Sequence, residues 1–290
     1  MLTAQLTGGL GNQLFTYTRL AHYAQTKNLD FQVDGSVVER VLGHTPDLFD
    51  FKLLNEKRIF ASDYGKIRVQ LERLFWRSSI TRKLSRRHQE TLLGSENSLA
   101  KQLDGWRVRG FFQDFNVANE FLSIFGKDPL SLVTESPSLR LLSEQVRESS
   151  TVAIHIRRGD YLDYKDSFGL LSDDYYLEAV ATISKVKPFT HALIFSDSPE
   201  LVVDFQRKIG LESQIISPLE LKTSETMMLM SRCAGLITSN STFSFWAGAL
   251  ADHNSVVIPN PWFKSQDEWL NSSNFRNPKW ENCESRWITE

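Results

Sequence analysis

Two adjacent arginines close a short apolar run in the stretch Ile154-His155-Ile156-Arg157-Arg158-Gly159-Asp160-Tyr161. An unpaired guanidinium is costly to bury, so two of them at a strand end need partners. Alternation along a strand sets His155 and Arg157 on one side and Arg158 on the other. One arginine can then face a ligand while the other pairs with an acid such as Asp160. A planar, permanently charged fork suits a pyrophosphate. The run Thr238-Ser239-Asn240-Ser241-Thr242-Phe243-Ser244-Phe245-Trp246 carries hydroxyl and amide groups out of one strand and into a helix. That geometry gives N-caps and outward N–H donors, again suited to an anion. Capping accounts for one Ser or Thr; five beside three aromatic rings ask for more. Phe195-Ser196-Asp197-Ser198-Pro199 places an acid at a further strand end.

A third anion-binding candidate lies near the start of the chain, in Gly8-Gly9-Leu10-Gly11-Asn12-Gln13-Leu14. Glycines between a strand and a helix let backbone N–H groups approach a phosphate. Gly9, Gly11 and Asp34 fit a dinucleotide fingerprint, but Leu14 stands where Gly or Ala is needed for close helix packing. A dinucleotide-dependent oxidoreductase is therefore the weaker alternative, and a tight turn without a ligand is the plain one.

Positioning these residues takes a series of short strands. The pattern predicts a strand over 2–6, a helix over 13–27, a strand over 29–33 and a turn at Asp34-Gly35. The middle of the chain is poorly patterned, with 106–112 its best strand. A helix starts at Ser136-Pro137. Beyond it, apolar runs at 152–156, 191–195, 235–238 and 255–258 alternate with helical patterns at 173–186, 198–209, 220–233 and 242–251. Such alternation indicates a parallel sheet covered on both faces, with loops after the strand ends as the binding region. The domain boundary is expected between 130 and 150.

Composition bounds the function classes. The 290 residues carry 33 Lys+Arg against 35 Asp+Glu, a formal charge of −2, so no global field draws the chain to nucleic acid. The first residues lack a basic and an apolar region, and no apolar run reaches the length of a spanning helix, so a cytoplasmic protein is expected. Cys233 and Cys283 have neither disulfide-framework nor zinc-ligand spacing. Residues 66–88 hold eight basic side chains against Glu72 alone, with Ile67, Leu71, Leu74 and Phe75 at helical spacing. A solvated basic face is the default for that segment; peripheral contact with anionic lipid on the inner face of the cytoplasmic membrane is the sharper expectation.

Taken in order, these segments resemble glycosyltransferase family 11, the α-1,2-fucosyltransferases. The resemblance rests on Gly8-Gly9-Leu10-Gly11-Asn12-Gln13-Leu14-Phe15, His155-x-Arg157-Arg158-Gly159-Asp160-Tyr161 and Ser172-x-Asp174-Tyr175-Tyr176. It continues through Phe195-Ser196-Asp197, Met230-Ser231-x-Cys233 and Asn240-Ser241-x-Phe243-Ser244-x-Trp246. Two positions depart from the family: Phe245-Trp246-Ala247-Gly248 replaces Trp-Trp-Gly, and Phe168-Gly169 replaces His-Gly.

The resemblance implies a GT-B-like α/β chain of two Rossmann-like domains facing a cleft. Residues 1–145 would form the N-terminal, acceptor-side domain and 146–290 the C-terminal, GDP-fucose-binding domain. It implies inverting transfer of L-fucose from GDP-β-L-fucose to the 2-hydroxyl of a terminal β-galactoside, for a surface glycan such as O-antigen. A fucosyltransferase of different linkage and a nonenzymatic glycan-binding module are the other readings. Gly9, Gly11, Asn12, His155, Arg157, Asp197, Asn240, Ser241, Thr242 and Ser244 would bind the donor, with His155 and Asp197 towards guanine and ribose. Arg157 and Asp160 would be catalytic, with Asp163, Asp166 and glutamates of the first domain as other candidate bases. No cofactor and no metal are expected: the chain has no Asp-x-Asp tripeptide, and the related enzymes need no metal.

Overall fold

The computed structural model describes residues 1–54, 57–63, 88–91, 105–159, 165–265 and 271–288. Asp160, Asp163 and all but the last residue of the basic segment 66–88 lie outside the described residues. The chain divides into two units, Met1–Val133 and Thr134–Glu290.

In the first unit β1 (Leu2–Gln5) leads into α1 (Leu10–Thr26), followed by β2 (Phe31–Asp34), α2 (Ser36–Leu42), β3 (Lys57–Ile59), β4 (His88–Thr91), β5 (Arg107–Gly110) and α3 (Phe115–Phe125). The strands pair in parallel in the order β3-β2-β1-β5-β4. Leu2, Ala4 and Val108 share an apolar cluster with Leu20 and Ala24 of α1. Strand alternation sends Thr3, Gln5, Gln32, Asp34 and Arg107 to the other face. There Gln32 Nε2 donates to Thr3 Oγ1 at 2.6 Å, and Arg107 Nη1 meets the buried Asp34 Oδ2 at 3.2 Å. The Ser36 amide donates to Asp34 Oδ1 at 3.0 Å. Asp34 is thus engaged within the protein, which removes the acid a dinucleotide site would have used for ribose.

The first helix begins at Leu10, earlier than the expected position 13. Only Gly8 and Gly9 precede it, so Gly11 and Asn12 lie in its first turn. Gly8 has φ +70°, and a Cβ there would come within 2.8 Å of the Asn12 amide nitrogen, so both backbone and space demand glycine.

The second unit runs α4 (Pro137–Glu148), β6 (Thr151–Ile156), α5 (Asp173–Val186), β7 (His191–Ser196), α6 (Val203–Lys208), β8 (Glu212–Ile216), α7 (Thr223–Arg232), β9 (Gly235–Ile237), α8 (Thr242–Leu250), β10 (Val256–Asn260) and β11 (Glu281–Glu284). Its strands pair in parallel in the order β11-β10-β9-β6-β7-β8. The chain winds outward from β6 in one direction and returns to β9 on its other side. That is the doubly wound order, and it puts a topological switch point between β6 and β9. Val152, Ile154 and Ile156 pack with Tyr175, Tyr176 and Ile183 of α5.

The unit boundary falls before the expected 145/146, because α4 belongs to the second unit. Ser136 caps α4 by accepting from the Leu139 amide, and its own amide donates to Glu225 of α7 at 2.6 Å. Arg232 at the end of α7 pairs with Glu135 and donates to Ser143 Oγ. Both units are parallel-sheet α/β layers, the make-up of the GT-B-like class expected from the sequence. Among the described residues no helix is long and apolar enough to cross a membrane.

Candidate functional site

The carboxyl ends of β6, β7 and β8 surround a cavity of about 210 Å³. His155 and Arg157 line it from β6, Phe195, Ser196 and Asp197 from β7, and Ile216, Ser217 and Pro218 from β8; Leu221, Thr223 and Thr226 add the start of α7, and Phe243 the first turn of α8. In an open α/β sheet this end is where ligands bind. Apolar walls with a few convergent polar groups are the usual composition of such a site.

Arg157 is held at the edge of this cavity. Its Nε sits 3.2 Å from Asp197 Oδ2, and its side chain keeps 29% of its surface exposed. The same carboxylate accepts from the Arg158 amide at 2.9 Å and the Gly159 amide at 3.1 Å. Asp197 therefore clamps the turn after β6 while it balances the guanidinium charge. The Gly159 backbone also needs its small residue, since a Cβ there would lie 2.8 Å from Asp197 Oδ2.

Arg158 points the other way, as strand alternation requires. It is 5% exposed, donates from Nη1 to the Leu171 carbonyl at 2.6 Å, and pairs through Nη2 with Asp173 Oδ1 at 3.2 Å. Its guanidinium lies over the Tyr176 ring. One of the two arginines is thus structural, paired with Asp173 at the head of α5. The signal was available in Ser172-Asp173-Asp174, where an acid follows an N-cap position.

His155 is 4% exposed, its Nδ1 lies 2.8 Å from Ser239 Oγ, and its ring tilts against Phe243 at 5.4 Å. Burial first, and the Arg157 charge second, push its pKa down to about 3, so the imidazole is neutral at physiological pH. Core packing and cavity lining are both true of this residue.

The hydroxyl-rich run is more structural than its composition suggests. Ser241 caps α8 by accepting from the Phe243 amide, and Thr242 starts the helix half-buried. Ser244 is fully buried and donates to the Ser239 and Ser241 carbonyls, which takes its side chain out of the candidate donor set. Asn240 is buried too, and its amide donates to the Phe168 and Gly169 carbonyls, pinning the returning limb of the loop after β6. Gly169, at φ +82°, lies under Trp287 with no room for a Cβ. Behind the helix, Ala247 is fully buried and Gly248 meets Trp280, so small residues there match the packing.

In the first unit, Gly9 caps α1 and a Cβ there would meet nothing within 4 Å. Asn12 Oδ1 accepts from Gln113 Nε2 at 2.7 Å, which ties the glycine turn to the loop after β5. These residues belong to that unit's own strand ends; in the other, His155, Arg157 and Asp197 line one cavity with Phe243, and Ser241 and Thr242 precede Phe243 at the head of α8. Asp166 is described and exposed. The sequence reading missed the α7 contribution and the contact of Ser239 with His155. The helix itself was visible, but nothing in a periodic pattern tells which end of it meets a ligand.

Fold and site together define a doubly wound α/β unit with a charged, anion-ready edge at its strand ends. The family model for glycosyl transferase family 11 matches residues 117–284, more than half of the chain. The chain belongs to that family and is a glycosyltransferase. It is similar to the alpha-1,2-colitosyltransferase of Escherichia coli, 24% identical over 302 residues that span 99% of this chain and 98% of that one. It is also similar to the O-antigen biosynthesis glycosyltransferase WbnK of Escherichia coli, 29% identical over 58% of this chain and 61% of that one. The crystal structure of fucosyltransferase NodZ from Bradyrhizobium shares the fold, with a TM-score of 0.53 at 13% identity over 86% of this chain and 93% of that one. NodZ has also been solved as an alpha-1,6-fucosyltransferase soaked with GDP-fucose.

Proposed function

We propose that this chain transfers L-fucose, with inversion, from GDP-β-L-fucose to the 2-hydroxyl of a terminal β-galactoside, building a surface glycan of the O-antigen kind. The observation that carries the reading is Arg157, lining a cavity at the strand ends with its Nε fixed on Asp197. An inverting displacement passes through a state in which the departing diphosphate gains charge. A guanidinium aimed at that charge, together with the outward N–H groups at the start of α8, stabilises it without a metal ion. The cavity beyond, between Phe195, Ile216, Leu221 and Phe243, takes the base of the nucleotide. Thr242, Ser241, His155 and Asp197 complete the donor side, and Asn240 and Ser244 support it from behind.

In this proposal the first unit binds the acceptor. The acceptor hydroxyl must lose a proton, for which a carboxylate within reach serves. Asp160, Asp163 and Asp166 are the candidate bases, and a pH–rate profile of Asp160→Asn separates a lost base from lost positioning.

The full-length similarity to an α-1,2-colitosyltransferase favours one rival donor, a GDP-linked colitose. GDP-linked fucose and GDP-linked colitose are therefore to be offered together with β1,3- and β1,4-linked galactosides, and the product linkage determined. Fucose in α-1,2 linkage is the expected outcome; exclusive use of colitose replaces the donor. Turnover is expected to survive excess EDTA. Activity that EDTA abolishes and magnesium or manganese restores contradicts the metal-free mechanism.

A further inference from the structure

We propose that Ser239 fixes the tautomer of His155, so that an Nε2–H donor faces the cavity and selects a guanine-type edge over an adenine one. The inference deepens the donor reading above and rests on a nucleoside diphosphate occupying this cavity.

Ser239 lies on the turn between β9 and α8 and is fully buried. Its Oγ is 2.8 Å from His155 Nδ1, across the switch point of the sheet. Leaving a buried hydroxyl proton without an acceptor is costly. If Nδ1 carried the ring proton, it would donate to Oγ and leave the serine proton unmatched. If Nδ1 is bare, the serine donates to it and both groups are satisfied. The second arrangement puts the ring's single proton on Nε2. Burial keeps the ring neutral, so there is one proton to place. Phe243 packs on the ring and holds its plane.

His155 lines the cavity, and with Nδ1 taken by Ser239 its remaining polar atom is a donor. Phe195, Ile216, Leu221 and Phe243 supply apolar walls for a flat ring. Guanine offers two neighbouring acceptors, O6 and N7, on one edge; adenine sets an amino donor beside N7. A fixed N–H set against position 6 of the ring donates to guanine O6 and meets the adenine amino group as a second donor. Ser239 touches no ligand in this scheme and acts through His155; it is a positioning residue for specificity.

The tautomer can be read on the unliganded wild-type protein. Long-range proton–nitrogen correlation of the histidine rings, with His155 assigned by loss of its signals in His155→Gln, is expected to show Nε2 protonated and Nδ1 bare at neutral pH. The reverse pattern overturns the proposal. Calorimetric titration with GDP and with ADP then tests selectivity. Ser239→Ala is expected to lower the GDP:ADP affinity ratio about tenfold, the effect of one hydrogen bond worth roughly 1.4 kcal/mol. An unchanged ratio in a folded variant overturns it. Failure of the unaltered protein to bind GDP overturns the donor reading and the base selection with it, while the ring spectrum still decides the tautomer.

Discussion

The two sheets of this chain solve the same packing problem with opposite chemistry. The inner strands of the second unit, Thr151–Ile156, His191–Ser196 and Val256–Asn260, are apolar on both faces through their middles, with polar side chains at their ends. The strands of the first unit alternate, with Leu2, Ala4 and Val108 against α1 and Thr3, Gln5, Asp34 and Arg107 on the other side. Parallel sheets are usually apolar on both faces because both are covered. One sheet is thus held chiefly by apolar contact and keeps its charge for the ligand end. The other spends charge on a buried ion pair. The comparison teaches where each unit is fragile, and it can be broken by mutation.

The largest effect is expected in the first unit. Asp34→Ala removes the buried carboxylate that pairs with Arg107 and accepts from the Ser36 amide, and should cost about 3–5 kcal/mol. Hydrogen exchange should show that loss in residues 1–54 and not in 151–216; a loss below about 1 kcal/mol would put the polar face on a par with surface pairs. Next comes Ile154→Ala in the second unit, where an empty volume in a packed sheet should cost about 2–5 kcal/mol by chemical denaturation. Equal losses from Ile154→Ala and Ile154→Val would deny the tight packing assigned to that sheet.

A smaller, pH-dependent effect follows from His155. Its folded pKa is depressed to about 3 from an ordinary value of 6.5. Between those values the unfolded chain binds a proton that the native chain does not, so stability falls as pH drops through that window. The slope from this group is at most about 1.4 kcal/mol per pH unit. Denaturant midpoints measured from pH 7 to 4 should show a weaker decline in His155→Gln, and an identical decline would contradict the buried neutral ring. Last, Asp197→Asn keeps one acceptor oxygen, sets an amino group against an N–H donor of the clamp and removes the charge opposite Arg157, and should weaken GDP binding by about tenfold, close to 1.4 kcal/mol. Unaltered affinity would show that Arg157 holds its position without Asp197.

The same contrast decided what could be read in advance. The second unit was legible because apolar runs bounded by helical patterns repeat along it, and β6, β7, β9 and β10 stand close to their expected places. The four strands that went unnoticed, β3, β4, β8 and β11, are the four sheet edges. Edge strands carry polar and charged residues that discourage pairing with other chains, as in Lys57-Arg58-Ile59 and Glu281-Asn282-Cys283-Glu284. An apolar-run criterion is blind to them.

The site was legible where a costly residue type demanded a reason. Arg157 and Arg158 at a buried strand end could be assigned to opposite sides from alternation alone, and the structure places them so. Partners were not legible: Asp173, Ser239 and the start of α7 come together only through the sheet order. The backbone carbonyls that Ser244 and Asn240 meet were not legible either. Composition alone does not say whether a hydroxyl or an amide faces a ligand or a backbone carbonyl.

The central claim is that Arg157 carries the donor's diphosphate charge. Replacing it should remove most turnover: Arg157→Ala retaining more than about a tenth of kcat/KM, a loss below roughly 1.4 kcal/mol, would be too active for this role. The most direct measurement is calorimetric titration of GDP, in EDTA, into the wild-type protein and Arg157→Ala. Binding to the wild type that weakens at least tenfold in the variant is the expected result. Equal affinity of the two, or binding that appears only with a divalent cation, would contradict the account.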